Sequence, residues 1–198
     1  MKILIVGGTG TIGKKVAAAL QGDHEVITAG SKSGDLQLDI TSTESIEAFF
    51  KKAGKFDALI SATGSGYFGP LKTMTLAYFK KGLDSKLSGQ VNLVLIGQKY
   101  INPKGSFTLT SGILSDDPIP NGSAVSAVNG ALNSFVIGAA IELENGVRIN
   151  VVSPGLVEDS MQMLGAFPGH FPVTMDRVVA GYVKSVLGGI TGQVIKVQ

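Results

Sequence analysis

The sequence predicts an α/β fold, a doubly wound parallel sheet in three layers with helices on both faces. Short apolar runs rich in β-branched residues recur at 2–6, 25–29, 56–62, 106–110, 147–152 and 194–197, and helix-patterned segments separate them. Continuous apolar runs suit strands buried on both faces, and their alternation with helices suits a sheet wound by crossovers. No repeat, low-complexity linker or composition break divides the chain, so residues 1–198 read as one domain.

Taken in order, the first run, Lys2-Ile3-Leu4-Ile5-Val6, stops at two glycines, and Gly7, Gly10 and Gly13 follow at the spacing G-x-x-G-x-x-G. Missing Cβ atoms let the chain turn tightly, let a phosphate approach the backbone, and let the next helix sit close to the sheet. That helix is marked by Ile12, Val16, Ala19 and Leu20, and its free N–H groups face an anion. Gly7, Thr9, Gly10, Thr11, Ile12 and Gly13 are therefore candidates to hold the diphosphate of a dinucleotide.

The segment 36–39 has strand character but lies too few residues after the second strand for an ordinary helical crossover. The preferred reading is a trimmed, helix-free link. A helix over 42–53 is marked by the capping box Thr41-x-x-Glu44, by Ile46, Phe49 and Phe50, and by a stop at Gly54. Three more helices are expected over 76–101, ending at Asn102-Pro103, over 123–144 and over 175–187.

Composition excludes several functions. A net charge of +2 with scattered lysines gives no nucleic-acid footprint, and cysteine is absent. Two histidines far apart make a metal site improbable. The uncharged stretch 118–141 contains Asn121, Asn129 and Asn133, which a bilayer would leave unpaired, so no membrane span is expected and a cytoplasmic protein is. Only 16% of residues are charged against 44% hydrophobic, which points to surface hidden in an oligomer. The charge-free helix and the apolar run Val91, Leu93, Val94, Leu95 and Ile96 either form that interface or simply cover the sheet.

Ligands on open α/β sheets bind beyond the carboxyl ends of the strands. After the second strand, Ser31 and Lys32 offer a hydroxyl and an ammonium where an adenine ribose would lie, which suits the 2′-phosphate of NADP better than the free hydroxyls of NAD. Asp39 and Ile40 are candidates to frame the adenine, with helix capping as the alternative role of Asp39. Ser61-Ala62-Thr63-Gly64 and Ser111-Gly112 end two further strands in small residues, and Pro154, Gly155 and Val157 follow another.

GGTGTIG, the LDIT around Asp39, SATG, Thr110-Ser111-Gly112, Arg148-Ile149-Asn150 and Ser153-Pro154-Gly155, in this order, resemble the short-chain dehydrogenase/reductase family over essentially the whole chain. The resemblance implies a single Rossmann-type domain binding NADP or NAD, with the nicotinamide near Ser61 to Gly64, Ser111 and the Pro154-Gly155 turn. It also implies dimers or tetramers built on the two long helices.

The departures from the family pattern bear on chemistry. Family members use a serine, a tyrosine and a lysine four residues further on, usually joined by an asparagine from the preceding long helix. Ser111 matches the serine, but Val125 falls at the tyrosine, Asn129 at the lysine, and Lys86 at the helix asparagine. Asp159 stands where a threonine is usual. Two readings follow. In one, an oxidoreductase acts on a small or hydrophobic carbonyl or alcohol, with Ser111 polarising the carbonyl, Lys86 restoring the cation and Tyr67 giving the proton. In the other, the protein binds a dinucleotide as a sensor or assembly component without turnover. The stretch 161–173 lies where the family has its substrate lid and offers Met161, Met163, Leu164, Phe167 and Phe171 as an apolar cover, with His170 a possible acid.

Overall fold

A computed structural model describes residues 1–198. Seven strands form one parallel sheet: β1 (Lys2–Val6), β2 (Glu25–Gly30), β3 (Leu36–Gln37), β4 (Phe56–Ser61), β5 (Ile101–Thr110), β6 (Arg148–Pro154) and β7 (Val194–Val197). Their order is β3-β2-β1-β4-β5-β6-β7, which reverses direction of growth between β1 and β4. All carboxyl ends therefore share one edge, and the crevice at the reversal is where such sheets bind ligands. The link from β2 to β3 contains no helix, as the short spacing requires, and Ala29 pairs with Leu36.

Alternating side chains of the buried strands build two cores. Leu4 and Val6 point into one, against Phe49 and Phe50 of α2 (Thr43–Ala53), Leu93 of α4 (Gly89–Gly97) and Leu132 and Val136 of α5 (Ser123–Ala139). Ile3 and Ile5 point into the other, against Val16 and Leu20 of α1 (Thr11–Leu20) and Val178, Tyr182 and Val186 of α6 (Met175–Leu187). The period of two along β1 thus fixes which helices lie on which face. No helix is long and apolar enough to cross a membrane.

Four expected boundaries differ. The helix over 76–101 is three pieces: α3 (Leu76–Gly82), a π-helical segment Leu83–Ser88, and α4, which stops at Gly97. The Tyr100 amide then closes a turn on the Gly97 carbonyl, and Ile101 opens β5 beside Phe56. Asn102 and Pro103 accordingly lie in a strand, at a register irregularity between Phe56 and Ala58 of β4. The helix over 123–144 ends at Ala139, where amides of Ile141 and Glu142 take carbonyls three residues back and tighten the chain into a turn. The cap of α2 is Ser42, whose hydroxyl accepts from the Ser45 amide. Thr41 instead turns both its amide and its hydroxyl to Asp39 Oδ1.

Phe50 stacks between Phe56 at 5.6 Å and Tyr100 at 5.4 Å and is fully buried. Phe50→Ala should cost about 3–5 kcal/mol through lost burial and an unfilled cavity. Urea unfolding measures it; a loss below about 1 kcal/mol would contradict the central place of this ring in the core.

Candidate active site

The turn after β1 is built by close approach. Gly7 has φ +80°, and a side chain there would run into the Ala62 carbonyl; a Cβ on Gly13 would run into the carbonyl of Gly7. Helix α1 therefore sits directly on the turn. Its N-cap, Gly10, provides no side-chain cap, and no acidic residue occupies its first turn. The leading N–H groups and the positive end of the helix are left for an anion, and Thr9, Gly10 and Thr11 are exposed around them. Thr9 Oγ1 meets Ser33 Oγ at 2.8 Å and ties this turn to the β2–β3 link.

Beside the turn lies a hollow of about 430 Å³, lined by Ser31, Asp39, Ile40, Thr63 and Gly64 among others. The one carboxylate in the β2–β3 link, Asp35, is turned back on the amide and hydroxyl of Thr28 at 2.8 Å each, which holds its pKa below the usual carboxylate range. Lys32 is exposed. Asp39 Oδ1 accepts the Thr41 hydroxyl at 2.7 Å and amide at 2.9 Å, so this carboxylate shapes the turn before α2, and those bonds lower its pKa.

A second cleft, of about 200 Å³, opens at the carboxyl ends of β5 and β6 and is walled by Ile12, Lys86, Ser111, Val125, Asn129, Pro154, Gly155 and Val157. Lys86 comes from the π segment, an extra-residue turn of a kind that re-aims side chains at functional sites. Its Nζ donates to the Ser111 carbonyl at 2.7 Å, and burial pushes the ammonium down to about 8. The lysine passes against bare backbone: a Cβ on Gly64, whose φ is +107°, would lie 2.8 Å from Lys86 Cα. Ser111 is 3% exposed and its hydroxyl has no partner. Asn129 Nδ2 donates to the Gly112 carbonyl at 3.2 Å, while its Oδ1 is buried and unpaired. Most buried polar atoms are bonded, so two orphans beside one lysine mark a place for a ligand.

Behind this cleft stands a layer that the sequence reading missed. Gln90 Nε2 donates to the carbonyls of Lys86 at 3.0 Å and Thr110 at 2.9 Å, and Gln90 Oε1 accepts the Thr110 amide at 2.9 Å. It clamps the π segment to β5. The Thr110 hydroxyl gives its one proton to the Ser61 carbonyl at 2.6 Å, so Tyr182 must donate to Thr110 Oγ1, also at 2.6 Å. Burial raises the pKa of Tyr182 far enough to keep it a neutral donor. Only the position of Gln90, one turn after Lys86 on an apolar helix, hinted at this.

Other expected site residues lie apart. Ser61 is fully buried behind the edge, and Ala62 bonds by its amide to the Val6 carbonyl at 2.8 Å. Tyr67 stacks on Tyr78, with centroids 4.6 Å apart and rings 3° from parallel, and does not line the cleft. Its neighbour Gly66 packs on Val125. In the lid, Met163 and Phe167 line the cleft, but Met161 and Phe171 are 47% and 90% exposed and cover nothing. His170 lies 3.5 Å from Asp117 and edge-on to Phe167, outside the cleft, where it fastens the lid to the segment after β5. Asp159 is exposed at the start of the lid, and Glu158 accepts the Met175 amide at the start of α6.

Comparison with known proteins agrees with this architecture. A family model described as Enoyl-(Acyl carrier protein) reductase matches residues 11–182. Short-chain dehydrogenase/reductase ATR9 of Stachybotrys chlorohalonatus is 25% identical over 183 residues, covering 77% of this chain and 72% of that protein. Among solved structures, the protein lin1944 of Listeria innocua is 45% identical over all of both chains with a TM-score of 0.98. A small-chain dehydrogenase in complex with NADPH is 27% identical, covering 100% of this chain and 96% of the other, with a TM-score of 0.89. The chain belongs to the short-chain dehydrogenase/reductase family, whose oxidoreductases work with a nicotinamide dinucleotide.

Proposed function

We propose that this chain uses NADPH to reduce a small, hydrophobic carbonyl compound held in the cleft between β5, β6 and the lid. The observation that carries the reading is the Lys86 ammonium held on the Ser111 main-chain carbonyl, on the same residue whose hydroxyl is buried and unpartnered, in a cleft otherwise walled mostly by apolar side chains. A hydroxyl and a cation can polarise a carbonyl and steady the charge that grows on its oxygen. When bound, the dinucleotide supplies the hydride. The chain's own residues fit that group: the uncapped start of α1 suits its diphosphate, the hollow at Ser31, Asp39 and Ile40 its adenosine, and Pro154, Gly155 and Val157 the nicotinamide side. Preference for NADPH rests on Ser31 and Lys32 and on the withdrawal of Asp35 to Thr28.

A non-catalytic dinucleotide sensor is the reading favoured by Val125 and Asn129, which fill the places of the family's tyrosine and lysine. Consumption of NADPH with a panel of aldehydes and ketones separates the two, because tight binding with no turnover of any of them supports the sensor. Lys32→Ala should weaken NADPH roughly tenfold in calorimetry while leaving NADH within about twofold. Equal weakening of both would remove the 2′-phosphate argument.

The apolar helices α4 and α5 support a homodimer or homotetramer, with Leu95 49% and Ile137 55% exposed on them. Ile137→Glu should lower the mass seen by light scattering without unfolding the chain. A wild-type mass equal to one chain would contradict this interface.

A further inference from the structure

We infer that Lys86 is itself the proton donor of the reaction, taking the place of the missing tyrosine rather than serving only as a fixed cation; this rests on the oxidoreductase reading above. The ammonium has three protons, and one is engaged, by the Ser111 carbonyl at 2.7 Å. The residue keeps partial exposure and lines the cleft together with Ser111 and Asn129, whose hydroxyl and Oδ1 are buried at its edge without partners. Three polar residues from three elements, the π segment, the loop after β5 and α5, thus line one small cleft. Val125, at the family's tyrosine position, has no proton to give, and Gly66 packs against it. Tyr67, the other phenol on that loop, is stacked away on Tyr78.

The bound dinucleotide would supply a hydride to the carbonyl carbon, and the carbonyl π pair would then move to oxygen. That oxygen takes a proton from Lys86 Nζ, so an N–H bond breaks and an O–H bond forms. Lys86 is left as a neutral amine and regains its proton from water. Such an amine must lose a proton readily near neutral pH, and burial in this cleft lowers Lys86 to about 8. Lys86 is the one ionisable residue in the cleft lining, and Tyr78, Lys80 and Lys81 of the adjoining α3 are not part of it. Helix α5 has no ionisable residue, and Tyr67, Asp84, Asp116, Asp117, Glu158, Asp159 and His170 on the neighbouring segments all lie outside the cleft lining.

The test compares wild type with Lys86→Arg, which keeps the charge but holds its proton, and Lys86→Met. In wild type, kcat for NADPH-dependent reduction should fall as pH rises through about 8, where Lys86 loses its proton. Both variants should lose at least ~100-fold in kcat and the limb with it, while binding NADPH within about threefold of wild type. A readout independent of turnover is the Lys86 side-chain NMR resonance, identified by its loss in Lys86→Arg, which should titrate near pH 8 and apart from the surface lysines. Turnover retained in Lys86→Arg, titration of Lys86 with the surface lysines, or loss of the limb in Tyr67→Phe would each overturn the assignment to Lys86. A wild-type protein that reduces no carbonyl would overturn the oxidoreductase reading and this inference together.

Discussion

The parallel sheet imposes the constraint from which the site follows. Because every strand runs the same way and the order turns back between β1 and β4, the carboxyl ends of β1, β4, β5 and β6 converge on one edge. Both faces are consumed by the two cores, so this edge is where polar side chains and free amides can gather without unsettling the packing. The glycine turn, the Ser61 to Gly64 loop, Ser111 and the Pro154-Gly155 turn are neighbours for that reason, though up to about 150 residues separate them in the chain.

Within that frame, Lys86 is the costly element. An ammonium drawn out of water loses solvation, and one hydrogen bond to a neutral carbonyl restores only part of it. The structure fixes the lysine from several sides instead. Gly64 leaves room for its main chain and stem, the π segment aims it, and Gln90 holds that segment to β5 through three hydrogen bonds. Beneath them, the Tyr182 and Thr110 hydroxyls run to the Ser61 carbonyl and leave the ends of β4 and β5 little freedom. A scaffold this well bonded under a partly satisfied cation is the arrangement expected where placement of charge matters more than stability.

Local rules made much of this legible. The buried run 2–6, the glycine spacing and the pattern of α6 each depend on neighbours close in sequence, and β1, the turn and α6 were found where expected. Lys86 and Ser111 were reached through the family resemblance, at the places of its helix asparagine and its serine, and the structure brings them together. What stayed hidden depends on distant partners. The π segment follows α3 directly, so nothing local marks where the turn widens. The early end of α4 reflects the pairing of Ile101 with Phe56, and Ser42 caps α2 while Thr41 turns to Asp39. Nothing near Tyr182 in the chain signals that α6 carries its hydroxyl to Thr110. The exposed Met161 and Phe171 show the converse: apolar composition in a loop does not say which residues face the ligand.

The most direct test of this account is a crystal structure of the protein grown with NADP⁺. The account predicts the diphosphate on the leading amides of α1, the nicotinamide beside Ser111 and Pro154, and Lys86 Nζ still held by the Ser111 carbonyl with its free protons toward the space where a substrate would lie. A dinucleotide bound elsewhere, or a Lys86 side chain swung out to solvent when the cofactor is present, would contradict it.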